Sequence, residues 1–149
     1  MKIMPDVVRD QNLLVAKPGD NARHVAKAMV ERKISSILVL DDDGKLIGII
    51  TERDFTRCFA VDGMDGETTT AGEIMTADVE TLSADDSAFS ALELMELKGF
   101  RHLPVIDADG RPLGVVSIRD LYAAVTRESR RVMAKTQTYL FDDRYNPDM

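Results

Sequence analysis

One cysteine, two histidines and no tryptophan stand among 149 residues. A lone Cys58 excludes a disulfide framework and a thiolate metal site. His24 and His102 lack acids or thiols at the spacing a zinc site needs. Positive charge is short as well: 19 Lys and Arg face 26 Asp and Glu, a net charge of −7. That balance argues against a general nucleic-acid face, which needs clustered cations, but leaves anionic small molecules open. No stretch approaches the ~18 apolar residues of a membrane span. Asp6 and Asp10 interrupt any signal-peptide core near the start, so a cytoplasmic protein with no membrane partner is expected. A Walker loop, a Gly-x-Ser-x-Gly elbow and an acid pair placed for hydrolysis are also missing.

What the chain does contain is one segment written twice. Val39 to Asp54 recurs as Val105 to Asp120, with Gly44 matched to Gly110, Gly48 to Gly114 and Asp54 to Asp120, a constant offset of 66. A repeat that keeps its polar residues in step is one structural unit used twice. Each copy is too short for a comfortable separate domain, so the two are expected to share an interface. At 44% hydrophobic, the whole chain can bury a core of ordinary size.

Apolar spacing in 21–32 (Ala22, Val25, Ala26, Met29, Val30) and in 87–98 (Ala88, Ala91, Leu92, Met95) predicts two amphipathic helices. Asp20 or Asn21, and Asp86 or Ser87, are the available caps. Short apolar runs at 37–40 and 47–50, and at 103–106 and 113–116, flank acidic Asp-Gly turns and read as hairpins. Further strands are expected at 13–16 and 79–82, and a helix at 52–60. Each unit thus reads strand-helix-strand-strand-helix. Ile3-Met4 and Ile74-Met75 open the copies at an offset of 71, so the first copy carries five extra residues around Arg9 to Asn12. The expected divisions are repeat 1 at 1–60, a linker at 61–72, repeat 2 at 73–125, and a helical extension with a tail at 126–149. Within the tail, Leu140, Phe141 and Tyr145 are candidates to dock an irregular end. Cys58, between Phe55 and Phe59, reads as a core residue. Asp41-Asp42-Asp43-Gly44 lacks the ligand alternation of a calcium loop and reads as a hairpin turn.

Both hairpins end in the same corner, Gly48-x-x-Thr51-x-Arg53-Asp54 and Gly114-x-x-Ser117-x-Arg119-Asp120. A hydroxyl followed by an acid three residues later is a helix-capping pattern. The same geometry can bind a nucleotide: free N–H groups and the helix dipole suit a phosphate. The carboxylate one turn in can accept both hydroxyls of a ribose, and the adjacent Arg supplies charge. Gly48 and Gly114 either keep the strand clear for such a ligand or ease strand packing. Capping alone explains one such corner more easily than two in step.

From Ile3 to about Val125 the chain resembles a tandem pair of CBS domains, the Bateman module. The resemblance is carried by the two corners, the Asp-Gly hairpins, the Ile-Met openings and Phe100-Arg101-His102-Leu103-Pro104-Val105. It implies a mixed α/β (α+β) fold of two repeats packed through their sheets about a pseudo-two-fold axis, with two equivalent clefts. Carried over by residue, one cleft would use Thr51, Arg53 and Asp54 with Val79, Glu80, Arg101 and His102. The other would use Ser117, Arg119 and Asp120 with Leu13, Leu14, Ser35 and Ser36, with Arg101 in reach of its phosphates. Ser35-Ser36 in one copy stands where Arg101-His102 stands in the other, so the Asp54 cleft is expected to take the more phosphorylated ligand.

The function implied is that of a stand-alone, non-catalytic sensor of an adenosyl ligand, AMP, ADP or ATP above all, signalling to an effector protein. No catalytic cofactor or metal is expected. Modules of this kind commonly form disk-like homodimers. The long last helix, with Val132 and Met133, would either add dimer contacts or fold back on its own core. The alternative function is a scaffold whose clefts stay empty.

Overall fold

The computed structural model describes residues 1–142. Two amphipathic helices form where the apolar spacing places them, α1 (Ala22–Arg32) and α4 (Ala88–Lys98). Their caps are Asn21, whose side chain accepts from the N–H of Arg23 and His24, and Ser87, which accepts from Ser90 N–H. Asp20 and Asp86 instead hold the preceding turns, each accepting from a backbone N–H three residues earlier.

The first sheet orders β1 (Val15–Ala16), β2 (Ser36–Leu40) and β3 (Leu46–Thr51), with β1 parallel to β2 and β3 antiparallel to it. The second pairs β4 (His102–Ile106) with β5 (Pro112–Ser117) in the matching register, Val105 opposite Gly114 as Val39 is opposite Gly48. In both hairpin turns the first Asp (Asp41 or Asp107) accepts two backbone N–H groups, and a glycine (Gly44 or Gly110) takes the left-handed backbone. Asp41 is therefore a turn residue. The two turns also touch: Leu46 N–H donates to the Gly110 carbonyl.

The strand expected at 79–82 does not form. Val79 N–H turns back to the Ala77 carbonyl, and only a bridge between Leu82 and Val105 remains. It is the counterpart of the Ala16–Val39 pair in the first unit. The helix expected at 52–60 is α2 (Glu52–Phe55) followed by a wider π-type turn over Thr56–Val61. Cys58 is buried there, beside the stacked Phe55 and Phe59 rings.

The packed units do not follow the order of the repeats. Ile3 and Val8 are buried in the core of the second repeat, against Leu82, Ala91, Met95, Leu103 and Val116. Ala71 and Ile74, on the short helix α3 (Ala71–Ile74), are buried in the core of the first, with Val25, Met29, Ile37, Val39 and Ile50. Each opening segment thus crosses to the other copy. Backbone bonds hold it there: Ile3 N–H to Asp86 O at 2.8 Å, and Ala71 N–H to Asp20 O at 2.8 Å.

Gly48 and Gly114 belong to this packing. A Cβ on Gly48 would lie 2.4 Å from Met75 Sδ, and one on Gly114 would lie 3.0 Å from Gln11 Oε1. Their missing side chains admit the crossing segments, and neither glycine lines the cleft. Of the two explanations for these glycines, close packing is the one realised.

The last helix, α5 (Ile118–Asp142), buries Leu121 and Ala124 and borders Met1, Asp6 and Arg9 through Arg127, Glu128 and Arg131. Val132 and Met133 are exposed, so α5 does not fold back on its own core. Phe141 and Asp142 still belong to the helix; the rest of the expected irregular end, including Tyr145, lies outside the described residues.

Candidate ligand-binding cleft

The two corners are built alike. At the first, Asp54 Oδ2 accepts from Thr51 N–H at 2.8 Å and from Thr51 Oγ1 at 3.2 Å. At the second, Asp120 Oδ2 accepts from Ser117 N–H at 2.8 Å while Ser117 Oγ accepts from Asp120 N–H at 3.1 Å. Both carboxylates therefore act as caps, and both face a common cavity. Capping and ligand binding are compatible, because a carboxylate has about four lone-pair sites.

The corners differ in what else they hold. Asp54 is 5% exposed, and its Oδ1 meets Arg57 Nη2 at 3.1 Å. The residue matching Arg57 in the second copy is Ala123, so Asp120 has no such neighbour. Arg57 was not among the residues expected at the site. Its only sequence signal is the i, i+3 spacing to Asp54, which is common on helices.

The cavity encloses about 1200 Å³ and is continuous between the corners. All the residues expected in either cleft line it: Thr51, Arg53, Asp54, Val79, Glu80, Arg101 and His102, together with Leu13, Leu14, Ser35, Ser36, Ser117, Arg119 and Asp120. The two clefts meet at their centre, where Ser35 Oγ lies 2.8 Å from His102 Nε2. These two residues had been expected in opposite clefts. Glu80 faces Lys98 at 3.8 Å on the rim.

Charge is unevenly distributed between this cavity and the rest of the surface. Lys33, Arg53, Arg57, Lys98, Arg101 and Arg119 line it with Glu52, Asp54, Asp78, Glu80 and Asp120. Six cations against five acids make a site of charge +1 in a chain of net charge −7. The remaining surface is correspondingly more acidic. Among the described residues, no group of His, Cys, Asp and Glu is placed to hold a metal ion. No helix among them is long and apolar enough to cross a membrane.

Burial pushes the His102 imidazole below its ordinary range and Arg101 adds to the shift, while Asp120 and Glu52 oppose it. Because the folded state disfavours the charged ring, the unfolded chain binds the proton more readily. This contribution to stability is therefore complete above about pH 6.5 and declines as pH falls below it. An NMR titration of the His102 ring is expected to show a midpoint below the ordinary imidazole value of about 6.5, and His102→Gln should remove this part of the acid sensitivity.

The cleft floor carries a second difference between copies. In the first unit the backbone of Thr76 pairs with Ile49, N–H to O at 2.9 Å and the reverse at 3.1 Å. The residue after Ile3-Met4 is Pro5, which has no N–H to offer. Gln11, from the five-residue insertion, supplies the missing partner. Its Oε1 accepts from Val115 N–H at 2.8 Å, and its Nε2 donates to Val115 O at 3.1 Å. A side-chain amide thus stands in for a peptide group. Gln11→Ala should lower stability by about 1–3 kcal/mol, two hydrogen bonds' net worth. Thr76→Ala, whose pairing is by backbone, should cost far less; urea unfolding of both variants checks the contrast.

A CBS-domain family model matches residues 6–61 and 71–127 of the chain. The chain belongs to the CBS-domain family. Among curated proteins, this CBS pair is 38% identical over 111 residues to an uncharacterised 17.7 kDa protein of Acidianus ambivalens, covering 74% of this chain and 66% of that one. The first such relatives are matched over 58–66% of their own lengths. Among solved structures it is similar to a putative signal-transduction protein with CBS domains from Burkholderia ambifaria. That match has a TM-score of 0.77 and 30% identity, covering 84% of this chain and 93% of the other. It is also similar to CBSX2 of Arabidopsis thaliana, solved in complex with AMP (TM-score 0.70, 26% identity, 80% and 91% covered). The mixed α/β fold of two CBS repeats expected from sequence is the fold observed.

Proposed function

We propose that the cleft of this CBS pair binds an adenine nucleotide (AMP, ADP or ATP) or a related adenosyl ligand, without catalysis, and reports its occupancy to an effector protein. The observation that carries this reading is the pair of corner carboxylates, Asp54 and Asp120, facing one cation-lined cavity of about 1200 Å³. Drug-sized ligands occupy sites of about 300–1,000 Å³, so there is room for two. The similarity to the AMP complex of CBSX2 supports the ligand class.

In this reading Asp54 and Asp120 accept the ribose hydroxyls. Thr51 and Ser117, with the N–H groups of the helix starts, face phosphate. Val79 and Glu80 on one side, and Leu13, Leu14 and Ser36 on the other, form the walls for the base. Arg53, Arg101 and Arg119 supply phosphate charge. Arg57 and Lys98, together with Arg53 and Arg101, weight the Asp54 half toward the more phosphorylated ligand. Signalling follows from linkage: a ligand that touches both repeats favours one of their relative arrangements, and a partner reads that arrangement. The compartment proposed is the cytoplasm, where adenine nucleotides are made and consumed.

Thermal unfolding with AMP, ADP, ATP, S-adenosylmethionine and 5′-methylthioadenosine tests the reading. A ligand at one hundred times its dissociation constant is expected to stabilise the protein by about 2.7 kcal/mol. No stabilisation by any of the five at millimolar concentration would favour the empty scaffold, a role consistent with the capping bonds both carboxylates already make. Steady conversion of ATP, lost in Asp54→Asn, would make the protein an enzyme instead.

A further inference from the structure

A second cavity lies outside the cleft, at the seam between the opening segment and α5. It encloses about 550 Å³ and shares no lining residue with the cleft. α5 stands between the two, with Ala123 lining the cleft and Ala124 the second cavity. Ala124 is buried and small, so it leaves open the space that a longer side chain would fill. Arg127, Glu128 and Arg131 follow it on the same face of the helix. Asp6 and Arg9 approach from the opening segment.

Three of these side chains are guanidinium groups, in a chain of net charge −7. Arg127 and Arg131 form a like-charged i, i+4 pair, which by itself destabilises a helix. The two carboxylates at the seam are already engaged. Glu128 is held by Arg131 at 2.8 Å, and Asp6 Oδ2 accepts from Lys2 N–H at 2.7 Å. Arg127 makes no hydrogen bond or ion pair among the described residues. Arg9 donates through Nε to the Pro5 carbonyl at 3.2 Å, which orients its guanidinium and keeps the Nη groups for another acceptor.

We propose that this seam is a second ligand site, for a small anion that carries one or two phosphoryl groups. A guanidinium is a planar fork of donors that matches phosphate oxygens two at a time. Forks from two different elements suit a tetrahedral group, whose oxygens face several directions, better than a flat carboxylate with two. The cavity also falls within the range of small-molecule sites, about 300–1,000 Å³. Charge limits the size of the ligand. Asp6, Glu128 and the acidic surface beyond them repel a long polyanion such as a nucleic acid. The bound anion relieves the repulsion among the arginines and bridges the opening segment to α5. This site is independent of the nucleotide reading and stands whether or not the cleft takes that ligand.

Titration with pyrophosphate, inorganic phosphate and glycerol phosphate, followed at the backbone amide resonances, tests the site. Saturable shifts are expected at the amides of Arg9, Arg127 and Arg131, with half-saturation below about 1 mM pyrophosphate. Arg127→Gln, at an exposed position, should weaken binding about ten-fold or more. Glu128→Gln, which frees Arg131, should instead tighten it about two- to five-fold. Opposite signs from adjacent residues separate a ligand contact from a general loss of structure. Equal affinity for glycerol phosphate would assign the site to phosphomonoesters, and a preference for pyrophosphate would assign it to inorganic phosphates. Shifts confined to the cleft amides, affinity indifferent to Arg127→Gln, or an equal response to sodium chloride at matched ionic strength would each overturn the proposal. So would a tri-glutamate peptide that binds more tightly than any phosphate, which would make the seam a dock for an acidic segment of a partner.

Discussion

Ile3→Ala is expected to lower the unfolding free energy by about 2–5 kcal/mol, as large-to-small substitutions at fully packed sites do. Ile3 is fully buried. It fills the second repeat's core, beside Met95 and Leu103. Ile74→Ala should cost a similar amount, and its damage should appear in the first repeat. Amide hydrogen exchange checks the location. Ile3→Ala should speed exchange in β4 and β5 before β2 and β3, and Ile74→Ala should do the reverse. If each substitution loosened its own sequence repeat instead, the crossed packing would be wrong.

Asp120→Asn and Asp54→Asn are expected to weaken adenosyl-ligand binding about a hundred-fold in their respective halves, the loss of one or two charge-assisted hydrogen bonds. Asparagine still accepts from the corner N–H, so the cap survives and the fold with it. The two variants should nonetheless differ. Asp54 also holds Arg57, so Asp54→Asn frees a guanidinium in the cleft and should reduce nucleoside affinity more than triphosphate affinity. Asp120 makes no ion pair like that of Asp54 with Arg57 among the described residues, and its replacement should lower affinity for all ligands of that half alike. Calorimetric titration with adenosine, AMP and ATP separates these outcomes. Undiminished binding in both variants would move the ligand away from the corners.

Much of the cleft was legible because its residues recur at a fixed offset. A duplicated strand-to-helix corner keeps hydroxyl, Arg and Asp in step, and every residue expected at the site lines the one cavity. What stayed hidden was any contact made by an unrepeated residue. Arg57 has Ala123 as its counterpart, and Gln11 lies in an insertion without one. Periodicity is silent about both. The Ser35–His102 contact across the two copies was equally invisible, because linear order says nothing of which ends of two clefts meet.

The sequence alone determined the two repeats, their hairpins and caps, and the chemistry at each corner. These depend on contacts within a few residues, where turn geometry and side-chain type decide the outcome. Tertiary structure alone decided that the opening segments exchange partners, that Gly48 and Gly114 make room for Met75 and Gln11, and that two clefts run together into one. It also decided that α5 keeps Val132 and Met133 exposed. Such choices turn on burying Ile3 and Ile74 against surfaces far along the chain, and hydrophobic burial has no preference for neighbours in sequence.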